Sequence, residues 1–201
     1  MAVIATGFFD GVHLGHRLVI DTLTSEAKKR GEESVVLTFW PHPRTVLQNG
    51  ARDLRLLTTL SEKKSLLESM GVDRVEVVRF TKEFSRLSSE EYLNEVVKER
   101  YGGTAILLGY DNRMGRDAGS PDTIASIAES VGLEVIRTES VPSGEDGERA
   151  ISSTLIRSLV AEGKVEEASS LLGYRYSLYG VVVAGNRLGR SIGFPTANMQ
   201  L

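Results

Sequence analysis

Short apolar runs alternate with longer stretches whose apolar residues recur every three or four positions. Residues 3–6 (Val-Ile-Ala-Thr) form the first run, and 34–39 (Ser-Val-Val-Leu-Thr-Phe) the second. Further runs lie at 75–80, 105–109 and 133–137. Continuous apolar runs of this length read as strands buried on both faces. Between them, 17–29 carries Leu18, Val19, Thr22, Leu23 and Ala27 at helical spacing. Thr59 or Ser61 can cap a second helix with Leu66, Leu67 and Met70, ending at Gly71. Ser88-Ser89-Glu90-Glu91 starts a third, with Tyr92, Leu93, Val96 and Val97 inward and Gly102 at the stop. Ser120-Pro121 caps a fourth that ends at Gly132, and two short helices follow at 154–162 and 165–172. The β-α-β-α order predicts a parallel sheet covered by helices on both faces.

From Tyr176 the character changes. Residues 176–184 read as a strand, glycines recur at 180, 185, 189 and 193, and a β-rich module is expected to begin. The stretch Pro142–Glu148 is polar and turn-rich.

Composition narrows the classes. The chain has 201 residues, 41% of them hydrophobic, enough for one good core. A net charge of −3 gives no cationic field for nucleic acid or an anionic membrane. With no cysteine there is neither a disulfide scaffold nor a thiolate site, which fits an intracellular protein. No apolar run approaches the roughly 20 residues that span a bilayer. The first residues lack the basic flank of a secretory signal, so a cytoplasmic location is expected.

Ligands of parallel sheets sit at the carboxyl ends of the strands. Three loops there carry candidate chemistry: 7–16, 39–44 and 109–116. The first, Gly7-Phe8-Phe9-Asp10-Gly11-Val12-His13-Leu14-Gly15-His16, holds two of the chain's three histidines. A strand, a glycine-rich turn and a helix start make a phosphate site, because free N–H groups and the helix dipole face the anion. Two imidazoles add donors that can follow charge developing on a phosphoryl group. Asp10 can organise its turn or meet Mg²⁺, and His42, between prolines, can stiffen its loop or bind ligand. Phe39 and Trp40 fit either core or ligand contact. Arg113 and Arg116 fit either solvated charge or a phosphate contact.

Phe9 to His16 resembles the H-x-G-H motif of the nucleotidyltransferase superfamily, and Ile151-Ser152-Ser153-Thr154-Leu155-Ile156-Arg157 resembles its second signature. Thr38-Phe39-Trp40-Pro41-His42-Pro43-Arg44 and Gly109-Tyr110-Asp111-Asn112-Arg113-Met114-Gly115-Arg116 are similar to two blocks of bacterial FAD synthetases. Gly193-Phe194-Pro195-Thr196-Ala197-Asn198 resembles the riboflavin kinase signature. Five blocks in family order make the chain similar to the bacterial bifunctional riboflavin kinase/FAD synthetases, cut within the kinase module.

The resemblance implies a Rossmann-like α/β nucleotidyltransferase domain over 1–174 and the start of a riboflavin kinase β-barrel over 175–201. It implies adenylyl transfer from ATP to FMN, giving FAD and pyrophosphate with Mg²⁺ held mainly by phosphates and water. His13, His16 and Arg157 would be catalytic. Gly7, Phe8, Phe9, Gly15, Phe39, Pro41, Arg44, Gly109, Asp111, Ser153 and Thr154 would bind nucleotide or flavin. Thr196 and Asn198 match kinase residues that meet Mg²⁺ and ATP phosphates. Asn112 and Met114 stand where many members have aromatics. Partners would be small nucleotides and flavins. Two rivals remain at this stage: another H-x-G-H transferase (for phosphopantetheine, nicotinate mononucleotide or an alcohol phosphate with CTP), and a flavin- or nucleotide-binding protein without catalysis.

Overall fold

In the central strands, neighbouring residues are buried in opposite directions, and this explains the unbroken apolar runs. The computed structural model describes residues 1–48, 54–109, 114–117, 119–138, 142–143 and 149–200. Five parallel strands make the sheet: β1 (Ala2–Thr6), β2 (Glu33–Trp40), β3 (Arg74–Arg79), β4 (Gly103–Leu108) and β5 (Glu134–Arg137), in the order β3-β2-β1-β4-β5. Ile4 is the centre of the register, paired with Val35 on one side and Ile106 on the other. Ile4, Val35, Leu37, Ile106 and Leu108 face one core; Val3, Ala5, Val36, Ala105 and Leu107 face the other.

Helices cover both faces. On one side lie α1 (Leu14–Arg30), through Ile20, Leu23 and Ala27, and α3 (Leu60–Ser69), through Leu67. On the other lie α4 (Ser89–Glu91), which continues as a π-helix over Tyr92–Arg100, and α5 (Pro121–Ser130). Each fully buried Leu or Ile in these layers contributes about 1.5–3 kcal/mol relative to exposure. The short helix α2 (Pro43–Leu47) follows β2. A two-stranded ladder, β6 (Pro142–Ser143) and β7 (Arg149–Ala150), precedes α6 (Ser153–Ala161) and α7 (Val165–Leu172). These two helices build a third cluster from Ile151, Ile156, Leu159, Ala168 and Leu172, with Leu57 added from upstream.

The caps end the helices where the sequence places them. Thr59, not Ser61, caps α3, and Glu62 closes a reciprocal capping box. Gly31 ends α1 at φ 67°, with its N–H on the carbonyls of Ala27 and Lys28. Two expectations change. The strand expected over 176–184 shrinks to β8 (Val181–Val183), paired antiparallel with β9 (Asn198–Gln200), with α8 (Leu188–Ser191) between them. From 177 to 200 every residue is exposed except Gly189, so no core supports a longer strand. The loop expected over 39–44 is partly helical, because His42 accepts the Arg44 N–H and starts α2.

Candidate active site

The strand order runs both ways from β1, so the loop after β1 opens at the topological switch point. Its backbone is strained there: Phe9, Gly11 and Val12 have φ of 52°, 76° and 38°. Positive φ costs a non-glycine residue about 1–3 kcal/mol and persists where surroundings over-determine it. Here they do. Asp10 Oδ1 accepts the N–H groups of Leu57 (2.9 Å) and Thr58 (3.3 Å), and its Oδ2 meets the Arg157 guanidinium at 2.7 Å. Ser153 Oγ donates to the Asp10 carbonyl (2.9 Å), and the Tyr174 hydroxyl to that of Gly11 (2.7 Å). Phe8 O accepts from Thr38 Oγ1 (3.1 Å) and Lys63 Nζ (2.8 Å). Asp10 is therefore the turn organiser of the two roles open to it. Burial pushes its pKa up, and Arg157 and the Leu57 and Thr58 amides pull it down.

His13 is the N-cap of α1, its Nδ1 accepting the His16 N–H at 3.4 Å. That acceptor role leaves its ring proton on Nε2. The two imidazoles stack, centroids 3.6 Å apart. Burial takes the pKa of His13 down to about 4. Burial lowers His16 well below its ordinary value too, and the charges of His13 and Lys63 add to it. Near neutral pH both are uncharged, and each neutral ring keeps one N–H donor. His16 Nδ1 is buried and has no hydrogen-bond partner among the described residues. Gly15 lies close against this stack: a Cβ there would come within 3.2 Å of the His13 ring.

The start of α6 faces the same loop. Ser152 is its cap, accepting the Leu155 N–H. Ser153 and Thr154, expected to open the helix, do so with side chains turned to the site: Ser153 to Asp10, Thr154 Oγ1 to Arg157 at 3.1 Å. Two helix N-termini thus converge beside two histidines and an arginine.

Next to them, a cleft of about 680 Å³ is lined by Thr6, Gly7, Phe8, Phe39, Pro43 and Leu47, and across it by Phe80, Phe84, Tyr92, Met114 and Arg116. Phe39, Phe80, Phe84 and Tyr92 form an aromatic wall, with ring centroids 5.7–6.3 Å apart. At its floor, Thr6 Oγ1 and Tyr92 Oη are 2.6 Å apart. Of the predicted residues, Gly7, Phe8 and Phe39 line this cleft, while Phe9 is buried with its ring edge-on to His16. Pro41 and Arg44 are exposed and outside the lining, and Pro43 and Leu47 of α2 take that place. Trp40 is exposed. His42 acts as a helix cap, with its ring edge-on to Phe8 at 4.0 Å. Gly109 follows β4 at the same rim, but Asp111, Asn112, Arg113 and residues 145–148 lie outside the described residues. Thr196 and Asn198 are exposed in the C-terminal segment, away from this lining.

Two participants escape sequence reasoning. Lys63 is 2% exposed under the loop, although its place between Leu60 and Leu67 on the apolar stripe of α3 was a readable signal. Tyr174 is tied to a residue 163 positions away, which no local pattern reveals.

A doubly covered parallel sheet with an H-x-G-H loop at its switch point is the architecture of a Rossmann-like nucleotidyltransferase. The FAD synthetase family profile matches residues 1–155, and the chain belongs to that family. The riboflavin kinase profile matches 172–201. The chain is 40% identical to a bifunctional riboflavin kinase/FMN adenylyltransferase of Listeria monocytogenes, over 99% of its own length and 62% of the relative's. It is 35% identical to the Escherichia coli protein of the same description, over 99% of its own length and 63% of that one. The chain thus spans less than two thirds of the curated relatives it matches. A crystal structure described as a macrolide-efflux protein from Streptococcus pneumoniae superposes with a TM-score of 0.88 at 32% identity, covering 99% of this chain and 64% of that one. Among the described residues no helix is long and apolar enough to cross a membrane.

Proposed function

We propose that this chain transfers the adenylyl group of ATP to FMN, forming FAD and pyrophosphate. The observation that carries the reading is the junction of an N–H-rich loop, with Lys63 and Arg157 bound to it, with an aromatic cleft. A phosphate chain fits the first and a flat isoalloxazine the second, so the two substrates meet at the loop. An FMN phosphate oxygen attacks the α-phosphorus of ATP, the bond to the bridging oxygen breaks, and pyrophosphate leaves. The nucleophile is already anionic, so no strong base is needed; the work is alignment and charge neutralisation. His13 and His16 donate to the phosphates. The α1 and α6 N-termini add N–H groups. Arg157, held by Asp10 and Thr154, faces the leaving group with a planar fork.

Asp10 has both carboxylate oxygens engaged, so Mg²⁺ would be held by the nucleotide's own phosphates and water, where it neutralises their charge. On this reading the partners are small nucleotides and flavins, and the protein works in the cytoplasm. Residues 1–174 form the adenylyltransferase module. Residues 175–201 begin a riboflavin kinase module whose activity this chain alone does not express, since 177–200 holds no buried core.

The deciding assay is FAD and pyrophosphate formation from FMN, ATP and Mg²⁺, with CTP as control. ATP-dependent FAD is the expected result. Tight FMN or ATP binding without turnover favours the non-catalytic binding protein, and turnover with CTP favours a different transferase. Riboflavin phosphorylation at a real rate by this chain would overturn the kinase statement.

A further inference from the structure

We infer that Lys63 supplies a buried positive charge that draws the nucleotide's triphosphate onto the loop, while holding the Phe8 carbonyl so that the loop keeps its shape. This deepens the reading above and rests on it. Lys63 sits one turn inside α3, beneath the β1–α1 loop, and is 2% exposed. Its Nζ donates to Phe8 O at 2.8 Å and lies 3.9 Å from the centroid of the Phe8 ring. Among the described residues no carboxylate is within ion-pair distance of it. An ammonium so buried, with no counter-ion at ion-pair distance among the described residues, is costly, and an aliphatic side chain would continue the Leu60–Leu67 stripe without that cost. A polyanion on the loop is the counter-charge that the arrangement lacks.

The surrounding groups fit. Asp10 faces the lysine from the loop and His16 from α1, with His42 at the start of α2; the charge of Lys63 lowers both histidines. Arg157 and Arg44 act on His42 as well. On α3 itself, Glu62 is held by the Thr59 N–H and Lys64 faces Glu68. Asp10 is already occupied by Arg157 and two amides, so it is not free to neutralise the ammonium. Burial lowers Lys63 to about 8, with Asp10 pulling it back up. Both histidines already titrate below this region, so of these three groups at the loop it is Lys63 that changes charge just above neutrality.

The test is equilibrium binding of ATP with Mg²⁺ to the full chain at about pH 7 and about pH 9.5, on either side of the lysine's value of about 8. Wild type should bind about tenfold more weakly at the higher pH. Lys63→Met should bind about ten- to a hundredfold more weakly at the lower pH, the scale of a lost charged hydrogen bond, and show no further loss as pH rises. Lys63→Arg, which stays charged, should retain most of the affinity and also lose the pH dependence. A merely structural lysine lowers the unfolding midpoint when replaced but leaves affinity and slope unchanged, and that result overturns the inference. Should Lys63→Met not fold, the slopes of wild type and Lys63→Arg decide alone, and equal slopes overturn it. FAD formation without any effect of Lys63 sinks this inference and leaves the proposed reaction standing. Lysine-dependent ATP binding without FAD formation does the reverse.

Discussion

His16 has its Nδ1 buried and unpartnered among the described residues, with its ring stacked on His13. A polar atom left in that state points to a partner that arrives with the substrate. His16→Ala is expected to lower the rate of FAD formation by about two to three orders of magnitude, the scale of one lost oxyanion-type donor, with FMN affinity kept. Unchanged turnover would remove His16 from the chemistry. Gly15→Ala places a methyl 3.2 Å from the His13 ring, so the stack must shift. Activity should fall while the unfolding midpoint moves little, and a fully active variant would show that the stack is dispensable.

The low pKa of His13 also has a stability consequence. Its folded value is about 4 against the usual 6.5, so between these pH values the unfolded chain holds more protons than the folded one. The stabilisation is complete above the unfolded value and is lost as pH falls through that window, by on the order of 1.4 kcal/mol per pH unit. Asp10, whose pKa is raised, contributes in the opposite sense. His13→Asn keeps a capping oxygen and isolates the histidine. Its urea midpoint should fall less steeply below pH 6.5 than that of wild type, and parallel curves would contradict the assignment.

Among the elements, those with a cap and a full apolar stripe were legible in the sequence. Ser88 and Ser120 mark their starts as expected, and Thr59 wins over Ser61 because it alone takes the extended backbone of a cap, with its side chain on the Glu62 N–H. Thr59→Ala should therefore cost about 1 kcal/mol in thermal unfolding, and Ser61→Ala almost nothing. Two elements were not legible, and a third, β8, only in part, since the strand expected over 176–184 is confined to Val181–Val183. Helix α2 is too short to show a period. The π-helical turns after Glu91 have no mark in the sequence, yet they keep Tyr92, Leu93, Val96 and Val97 together on the sheet side. β8 depends on its partner β9 rather than on its own apolar run. The site divides in the same way. The histidine pair and the serine-rich start of α6 are local motifs. The bonds from Arg157 and Tyr174 to residues 10 and 11 are set only by the fold.

For the whole molecule, the division of labour falls near Tyr176. Tyr174 reaches the loop and the Tyr176 N–H meets Ser169, whereas the residues beyond are exposed. A chain ending at residue 176 should keep the unfolding midpoint and the FAD-forming rate of the longer one. A drop of many degrees would show that the C-terminal segment supports the sheet.

The fasteners of the loop lie late in the chain, and this sets a timetable. The sheet is complete in sequence at Arg137, but Asp10 and Gly11 wait for Ser153, Arg157 and Tyr174. At about 5–20 residues per second, a nascent chain spends seconds with its core assembled and its phosphate loop unlatched. The β1–α1 loop is thus made well before the side chains that latch it, and it takes its final shape only after Tyr174 has joined the fold.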